Sequence, residues 1–180
     1  MPRLYVPLPN EVSYCYAYDQ PISFGNTSQG DLKVEWMGGM EATLRRLAAV
    51  GVQAIPWGSV GADLLGEVRY EMLREMGLDI DCMGRIQGRT GLRVTIEQPG
   101  APEQIALVYG CAESALPPLL KGKDPGCLYL YGKYAAEYRQ QVLLRTGWHT
   151  PLALQEMGGA LLAGPQEMVE AMADRLEALR

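Results

Sequence analysis

The first third of the chain contains short stretches in which apolar residues recur at every second position, the period of a β-strand. The apolar positions are Tyr14, Tyr16 and Tyr18 in one stretch and Leu32, Val34 and Trp36 in another. Residues 92–109 alternate in the same way on both sides of a Pro-Gly-Ala-Pro turn, which predicts a hairpin. Residues 4–8 form a further short apolar strand.

Two stretches instead place apolar residues three and four positions apart, as an amphipathic helix does. The first runs from Met40 to a stop at Gly51, directly after a pair of glycines. The second begins at Asp63, a residue type that favours the N-cap, and ends at Gly77. A buried strand over 52–60 is expected between them.

The second half of the chain alternates strand and helix patterns. Strands are expected over 127–131, 151–154 and 160–163, and helices over 135–145 and 166–179. This rhythm predicts a single α/β domain over residues 1–180 with a mainly parallel sheet flanked by helices. The segments at about 12–36 and 89–110 do not follow it, so we expect them to form a separate small antiparallel lid.

Composition and charge exclude several classes of partner. The net charge is -5, and lysines and arginines are scattered, so neither nucleic acid nor an anionic membrane surface is an expected partner. No apolar run is long enough to span a bilayer, and prolines interrupt the N-terminal residues before a secretory signal could form. The four cysteines lack metal-ligand spacing, so we expect no metal site and a cytoplasmic location.

The most specific motif begins at the end of the predicted strand over 52–60 and runs through the second predicted helix. It has the pattern V-G-x-D-x-x-G-x-x-x-x-x-x-L-x-x-x-G, followed by a T-G pair. The matching residues are Val60, Gly61, Asp63, Gly66, Leu73 and Gly77, then Thr90 and Gly91, with Gly110 at a later corner. Together with the Gly38-Gly39 pair, they make the chain resemble the N-terminal half of the ribokinase-like, or PfkB-type, carbohydrate kinases over most of residues 4–179.

This resemblance implies an α/β fold with a β-sheet lid over the substrate. It also implies transfer of the ATP γ-phosphoryl group to a hydroxyl of a sugar or related small molecule. Lids of this family often clasp one another, so the face bearing Tyr14, Tyr16 and Tyr18 is a candidate dimer surface. A homodimer through the lid, or a partner chain at the C-terminal side, is therefore expected, along with a small sugar-like ligand.

The resemblance also implies substrate contacts at Asn10, Gly38, Gly39 and Thr43. Each has an alternative: Asn10 can be a surface residue in a proline-rich turn, and the glycine pair can be a tight turn alone. Thr43 replaces the asparagine of the family and has a shorter hydrogen-bonding reach. The usual acid that binds sugar hydroxyls is replaced by Val12, and the neighbouring Glu11 is expected to face the opposite way.

Two further positions, in the second half of the chain, also depart from the family's pattern, and one of them belongs to the N-x-x-E motif that lies near the phosphates and Mg²⁺ in the family. Gln155 stands where a strand often ends in Asp, and Gly164 stands where the N-x-x-E motif has Asn. Glu167 retains the acid of that motif, and the resemblance implies that this acid lies near the phosphates and Mg²⁺. Its alternative is an ordinary acid in the first turn of a helix, which the helix dipole favours.

The 180 residues contain neither the family's G-A-G-D motif, which provides the anion hole and catalytic base, nor a P-loop. ATP and Mg²⁺ are therefore implied only for a complete family member, and no cofactor or catalytic residue is assigned to this chain. We expect the C-terminal part of the fold to be missing. The first hypothesis is the substrate and lid part of a sugar kinase, inactive alone. The second is a non-catalytic ribokinase-like protein that binds a small ligand or dimerises, and the third is an α/β protein of another family.

Overall fold

The computed structural model describes residues 3–23, 25, 29–49, 51–100, 105–109, 116–120 and 122–177. Its strands are β1 Leu4–Pro7, β2 Glu11–Ala17, β3 Asp31–Glu35, β4 Ala54–Gly61, β5 Met83–Ile86, β6 Gly91–Glu97, β7 Ile105–Tyr109, β8 Cys127–Tyr131, β9 Ala153–Met157 and β10 Ala160–Gly164. Its helices are α1 Glu41–Ala49, α2 Leu64–Glu75, α3 Gly132–Ala136, α4 Arg139–Thr146 and α5 Gln166–Glu177.

Six strands form the main sheet in the order β5-β4-β1-β8-β10-β9. The pairs β5-β4, β4-β1 and β1-β8 are parallel, which confirms the predicted mainly parallel sheet. β10 is antiparallel to both of its neighbours, a departure from the expected strand and helix alternation. Its cause is local: Gly158 and Gly159 alone join β9 to β10, with φ of 51° and 89°, and a two-residue turn can connect only antiparallel strands.

The main sheet is covered by helices on both faces. Leu4 and Val6 of β1 pack into a cluster that includes apolar residues of α1, α2 and α5. Tyr5 lies between them in sequence and packs into a second cluster, to which α3 and α4 contribute. This alternation is the strand period acting on a sheet that is buried on both faces. No helix in the described part of the chain is long and apolar enough to cross a membrane.

A second sheet has the strand order β3-β2-β6-β7, and we call it the lid sheet. Two of its three strand pairs are antiparallel, as predicted, but β2 and β6 run parallel. Gly91 N donates to the Asn10 carbonyl oxygen at 2.8 Å, so both strands begin at the same point of the body and leave it in the same direction. Gly110, the predicted corner of the hairpin, lies outside the described residues.

The register of the lid sheet separates two faces. One cross-strand row is apolar and consists of Tyr14, Val34, Val94 and Leu107. The adjacent row is mostly polar and consists of Ser13, Glu35, Arg93 and Val108. Since successive residues of a strand point to opposite sides, the lid sheet has one apolar and one largely polar face.

Two elements differ from the sequence patterns. The single helix expected over 135–145 is two helices, α3 and α4, because the chain leaves helical geometry at Tyr138. Tyr134 and Val142 are buried in the same cluster, so the break does not disturb the apolar pattern by which a helix is recognised. The other difference is β5, which the patterns missed because its four residues, Met-Gly-Arg-Ile, have no alternation.

A hydrogen-bond network joins the end of β4, the start of α2 and the start of β6. Asp63 Oδ1 accepts from Gly66 N at 2.9 Å and from Thr90 Oγ1 at 2.7 Å. Asp63 Oδ2 accepts from Thr90 N at 2.9 Å, and Gly61 N donates to Thr90 Oγ1 at 3.0 Å. The predicted N-cap at Asp63 is confirmed, and its carboxylate also anchors the lid sheet to the body.

Both glycines of this network are required by close backbone approach. A Cβ at Gly61 would lie 2.2 Å from Thr90 N, and a Cβ at Gly66 would lie 2.1 Å from the Gly61 carbonyl oxygen. No real Cβ occupies such positions without moving the backbone. The spacing of the V-G-x-D-x-x-G pattern and the later T-G pair is therefore explained by one packed junction.

Replacing Asp63 by Asn tests this junction. The variant loses the charge and one of the two acceptor oxygens, and we expect unfolding in urea at pH 7 to show a loss of about 1–2 kcal/mol. Partial burial raises the pKa of Asp63, but the hydrogen bonds from Thr90 and Gly66 outweigh it and leave the pKa below its usual value. The contribution is therefore complete above the unfolded pKa of about 3.9 and is lost as pH falls through the lower folded pKa.

The difference between wild type and Asp63→Asn should accordingly shrink as the pH is lowered from about 4 toward 2. The matched control is Asp174→Asn, which removes an exposed carboxylate on α5 and should leave stability unchanged. Equal stability of wild type and Asp63→Asn at pH 7 would show that the network is not a stabilising junction.

Candidate functional site

The carboxyl ends of β1 and β8 mark the point at which the main sheet changes its direction of winding. From β1 the chain passes through α1 and α2 to β4 and β5 on one side, and it returns as β8 on the other side of β1. In open α/β sheets such a switch point creates a crevice in which ligands bind. The lid sheet begins immediately after β1, so it covers this crevice.

The crevice is a cleft of about 310 Å³ between the main sheet and the lid sheet. Its polar lining consists of Glu11 and Ser13 at the start of β2, Arg93 of β6, and Lys133 and Tyr134 of α3. Ser13 and Arg93 lie in the same row of the lid sheet, so the polar face of that sheet is turned toward the cleft. The apolar face is turned away from it.

Glu11 is the central acid of the cleft. Its side chain is 12% exposed, Arg93 Nε donates to its Oε1 at 2.8 Å, and Lys133 Nζ lies 3.9 Å from the same oxygen. Glu11 does face away from Val12, as expected, but it is the Glu11 side of the strand that faces the cleft. Val12 is fully buried. Alternation of side chains gives the relative sides of Glu11 and Val12, but it does not give which side the lid turns toward the main sheet.

Asn10 lies beside this acid but within the protein. It is 4% exposed and so is not the surface residue of the alternative interpretation. Its carbonyl oxygen receives the hydrogen bond from Gly91 that starts the pairing of β2 with β6. The structure therefore places Asn10 at the hinge between lid and body, next to Pro9 and Glu11 of the cleft lining.

The glycine pair that precedes α1 forms a tight turn, and Gly38 also lines the cleft without placing a side chain in it. Gly38 and Gly39 have φ of 62° and 78°, in the left-handed region that favours glycine. A Cβ at Gly38 would lie 2.9 Å from Pro9 Cγ and 3.8 Å from the Tyr131 hydroxyl oxygen, inside the cleft lining. Gly39 is exposed beside the cleft, and a Cβ there would meet no atom closer than the Glu35 carboxylate oxygens, at 3.9 Å.

Thr43 and Glu167 are not brought into this cleft. Thr43 lines a different hollow, of about 180 Å³, together with Arg46, Tyr129 and Met157. Glu167 is exposed in the first turn of α5, directly after β10.

The antiparallel course of β10 separates Glu167 from the cleft. A Cβ at Gly164, the last residue of β10, would lie 2.6 Å from the carbonyl oxygen of Gly126, which precedes β8. The cleft residues follow the opposite end of β8, from Tyr131 onward. Glu167 is therefore at the other edge of the sheet, and the weak phosphate or magnesium assignment derives no support from this geometry. Among the described residues, no group of three or more His, Cys, Asp or Glu side chains is arranged to hold a metal ion.

Arg69 is a functional candidate that the sequence patterns missed. It is fully buried on α2, and its Nη2 donates to the Pro9 carbonyl oxygen at 2.7 Å, directly behind the cleft wall. Its Nε and Nη1 have no hydrogen-bond partner among the residues described. Burial lowers the pKa of Arg69 to about 10, so the side chain remains charged at neutral pH. The sequence contains one indication that Arg69 is buried: it lies four residues after Leu65 and four before Leu73, on the apolar face of the helix.

Two tyrosines complete the floor of the cleft. The Tyr131 hydroxyl donates to the Pro7 carbonyl oxygen at 2.9 Å. Tyr134 is 1% exposed, and its hydroxyl has no hydrogen-bond partner in the described part of the chain. Burial raises the pKa of both tyrosines, so both present neutral hydroxyl groups at physiological pH.

Comparison with known proteins gives structural likeness only. No family model matches the sequence, and no curated protein matches it. Among solved structures, a candidate sugar kinase from Clostridium perfringens has a TM-score of 0.49 and 21% identity, with 64% of this chain covering 36% of that one. Ribokinase from Cryptococcus neoformans, solved with ADP, has a TM-score of 0.43 and 22% identity, with 61% of this chain covering 35% of that one.

Fructokinase from Xylella fastidiosa has a TM-score of 0.45 and 15% identity, and 67% of this chain covers 37% of it. The chain therefore spans little more than a third of the length of these kinases. The strand order of this chain establishes a mixed α/β fold with a mostly parallel main sheet flanked by helices. The three solved structures named above carry the names sugar kinase, ribokinase and fructokinase.

Proposed function

We propose that the cleft between the lid sheet and the carboxyl ends of β1 and β8 binds a small polyhydroxylated, sugar-like ligand. The observation that carries the proposal is the position of Glu11, a nearly buried carboxylate at the switch point of the sheet, covered by the polar face of the lid. A carboxylate can accept hydrogen bonds from two adjacent hydroxyl groups, as a sugar presents them.

The other lining residues suit the same ligand. Ser13 can donate and accept a hydrogen bond, and the rings of Tyr131 and Tyr134 supply an apolar surface for the C–H face of a sugar ring. Gly38 leaves this part of the cleft free of a side chain, because a Cβ at this position would clash with Pro9. These features support binding and orientation of the ligand.

Phosphoryl transfer requires more than these residues supply. It needs donors around the phosphates and a group that orients or deprotonates the attacking hydroxyl. The 180 residues contain no G-A-G-D motif and no P-loop, and Glu167 lies at the other edge of the sheet. We therefore infer that the chain corresponds to the substrate and lid part of a ribokinase-like kinase and is inactive alone.

Ligand binding is tested by isothermal titration with a panel of monosaccharides, polyols and nucleosides. At least one should bind, and Glu11→Gln should weaken its binding about tenfold, because the amide loses the charge and one of the two acceptors. Glu167→Gln is the matched control and should bind with wild-type affinity, since that residue lies outside the cleft. Absence of binding across the panel, or an equal loss in both variants, would contradict the proposal.

Catalysis by the chain alone is tested with a coupled ATPase assay in the presence of Mg²⁺ and the same compounds. We expect no turnover above the protein-free blank, because the sequence provides no anion hole or base. Turnover that disappears in Glu167→Ala would show that the phosphate assignment of that residue is correct and that the chain is a kinase. The unfolding curve of the variant should be recorded, so that loss of activity is not a loss of folding.

A second candidate function is dimerisation through the apolar face of the lid sheet. Leu32 is 50% exposed and Leu107 is 62% exposed, and Tyr109 lies two residues farther along β7 with 60% exposed. Exposed apolar residues gathered on one sheet face are typical of a protein contact. A second copy of this chain is the proposed partner, since a twofold axis would place the same face against itself.

Dimerisation is tested by light scattering coupled to size exclusion at micromolar concentration. We expect a dimer for the wild type and a monomer for Leu107→Glu, because a carboxylate would be buried without a partner in the contact. Leu144→Glu is the matched control, since Leu144 is 74% exposed on α4, outside the lid sheet. A wild-type monomer, or a dimer that survives in Leu107→Glu, would exclude this contact.

A further inference from the structure

The charges around the cleft are not balanced. Arg93 and Lys133 line it, and Glu11 is the one carboxylate among its lining residues in the described part of the chain. Glu11 is within hydrogen-bond distance of Arg93 alone, while Lys133 Nζ lies 3.9 Å away, too far for a good hydrogen bond. One positive charge at the cleft is therefore weakly compensated.

The neighbouring carboxylates do not supply the missing negative charge. Glu41 Oε1 accepts from Trp36 N at 2.7 Å and from Met37 N at 2.8 Å, so it holds the backbone that leads into the glycine pair. Glu35 pairs with Lys33 at 2.7 Å. Neither belongs to the cleft lining.

The residues behind the cleft lining add further positive charge and further hydrogen-bond donors. Arg69 adds a fully buried guanidinium whose Nε and Nη1 have no partner among the residues described. The buried hydroxyl of Tyr134, which lines the cleft, is likewise without a partner within the described ranges. No described residue offsets the desolvation of these buried groups, and the charge of Arg69 adds positive potential behind the cleft wall.

A neutral sugar would not correct this imbalance, because each of its hydroxyl groups brings a donor together with its acceptor. A carboxylate or phosphate brings acceptors and negative charge only. We propose that the cleft ligand carries an acidic group, a carboxylate or a phosphate, which is bound by Arg93 and Lys133 while Glu11 receives the hydroxyl groups. This inference rests on the proposed function and defines the chemical class of its ligand.

The positions of Arg93, Lys133 and Arg69 give each of them a different role in binding the acidic group. Arg93 is already oriented by Glu11, so its guanidinium is held in place to receive an acidic group beside the hydroxyl-binding carboxylate. Lys133 Nζ is held by no hydrogen bond in the described structure and can move toward that group. Arg69 lies behind Pro9 and is assigned an indirect role, since its charge attracts an anion into the cleft without lining it.

The test compares matched pairs of ligands by isothermal titration against the 180-residue chain. The pairs are glucose with gluconate, and ribose with ribose 5-phosphate, and inorganic phosphate is a further probe. At least one acid should bind ten or more times more tightly than its neutral partner. Gluconate and ribose 5-phosphate distinguish a carboxylate from a phosphate, and phosphate alone binding as tightly as ribose 5-phosphate would contradict a role for the hydroxyl groups.

Variants of Lys133 show whether this residue produces the preference for the acidic ligand. Lys133→Gln should reduce the preference for the acid over its neutral partner about tenfold, whereas Lys133→Arg should retain the preference. Lys123→Gln is the matched control, because Lys123 lies outside the cleft and 3.9 Å from Asp81. Arg93→Gln should also lose the preference, and its unfolding curve shows whether loss of the Glu11 ion pair has disturbed the fold.

The outcomes separate the two proposals. Equal affinity for acid and neutral partner would overturn the acidic ligand and leave sugar binding intact. A preference that persists in both Lys133→Gln and Arg93→Gln would also overturn it. Binding of no compound in any pair would contradict the proposed function itself.

Discussion

The junction around Asp63 and Thr90 is the constraint on which the arrangement of lid and body depends. One carboxylate satisfies the first turn of α2 and both the backbone and the hydroxyl of Thr90, the residue that precedes β6. Because Gly61 and Gly66 lack side chains, the three backbones approach closely enough for these bonds. The start of the lid is thereby fixed relative to the carboxyl end of β4, one strand away from the cleft.

The strand connections that leave this junction determine how the rest of the site is arranged. β6 leaves Thr90 and pairs with β2, which itself leaves the end of β1. Both strands of the lid centre thus originate at the switch point of the main sheet, and the alternation of their side chains turns one face toward the cleft. That face carries Glu11, Ser13 and Arg93, while the apolar face is left exposed. A single register therefore decides both the chemistry of the cleft and the surface available for a second copy.

The residues predicted for the site differ in how far local pattern could locate them. The Gly38-Gly39 pair before a helix is a local signal for a turn, and the left-handed φ of Gly38 and its approach to Pro9 explain why glycine stands there. For Glu11, alternation gives its side relative to Val12, as expected, but not which of the two sides faces the cleft. Arg69 was missed because a charged residue on an apolar stripe has a role only when its burial is known.

Thr43 and Glu167 show a different limit. Both were assigned by analogy of position along the chain, and the tertiary structure places Thr43 in a separate hollow and Glu167 at the other edge of the sheet. The cause for Glu167 is the two-glycine turn that makes β10 antiparallel, which moves everything after it to the opposite edge.

The sequence by itself determined the helices α1 and α2, the N-cap at Asp63, the α/β class and the presence of a small separate sheet. These follow from periodicity, capping and glycine positions, which act over a few residues. Only the tertiary structure decided the polarity of the cleft, the burial of Arg69 and the separation of Glu167 from the residues that line the cleft. Those depend on which strand ends meet and which side of each strand is covered, and contacts between segments distant in the chain leave no periodic trace in it.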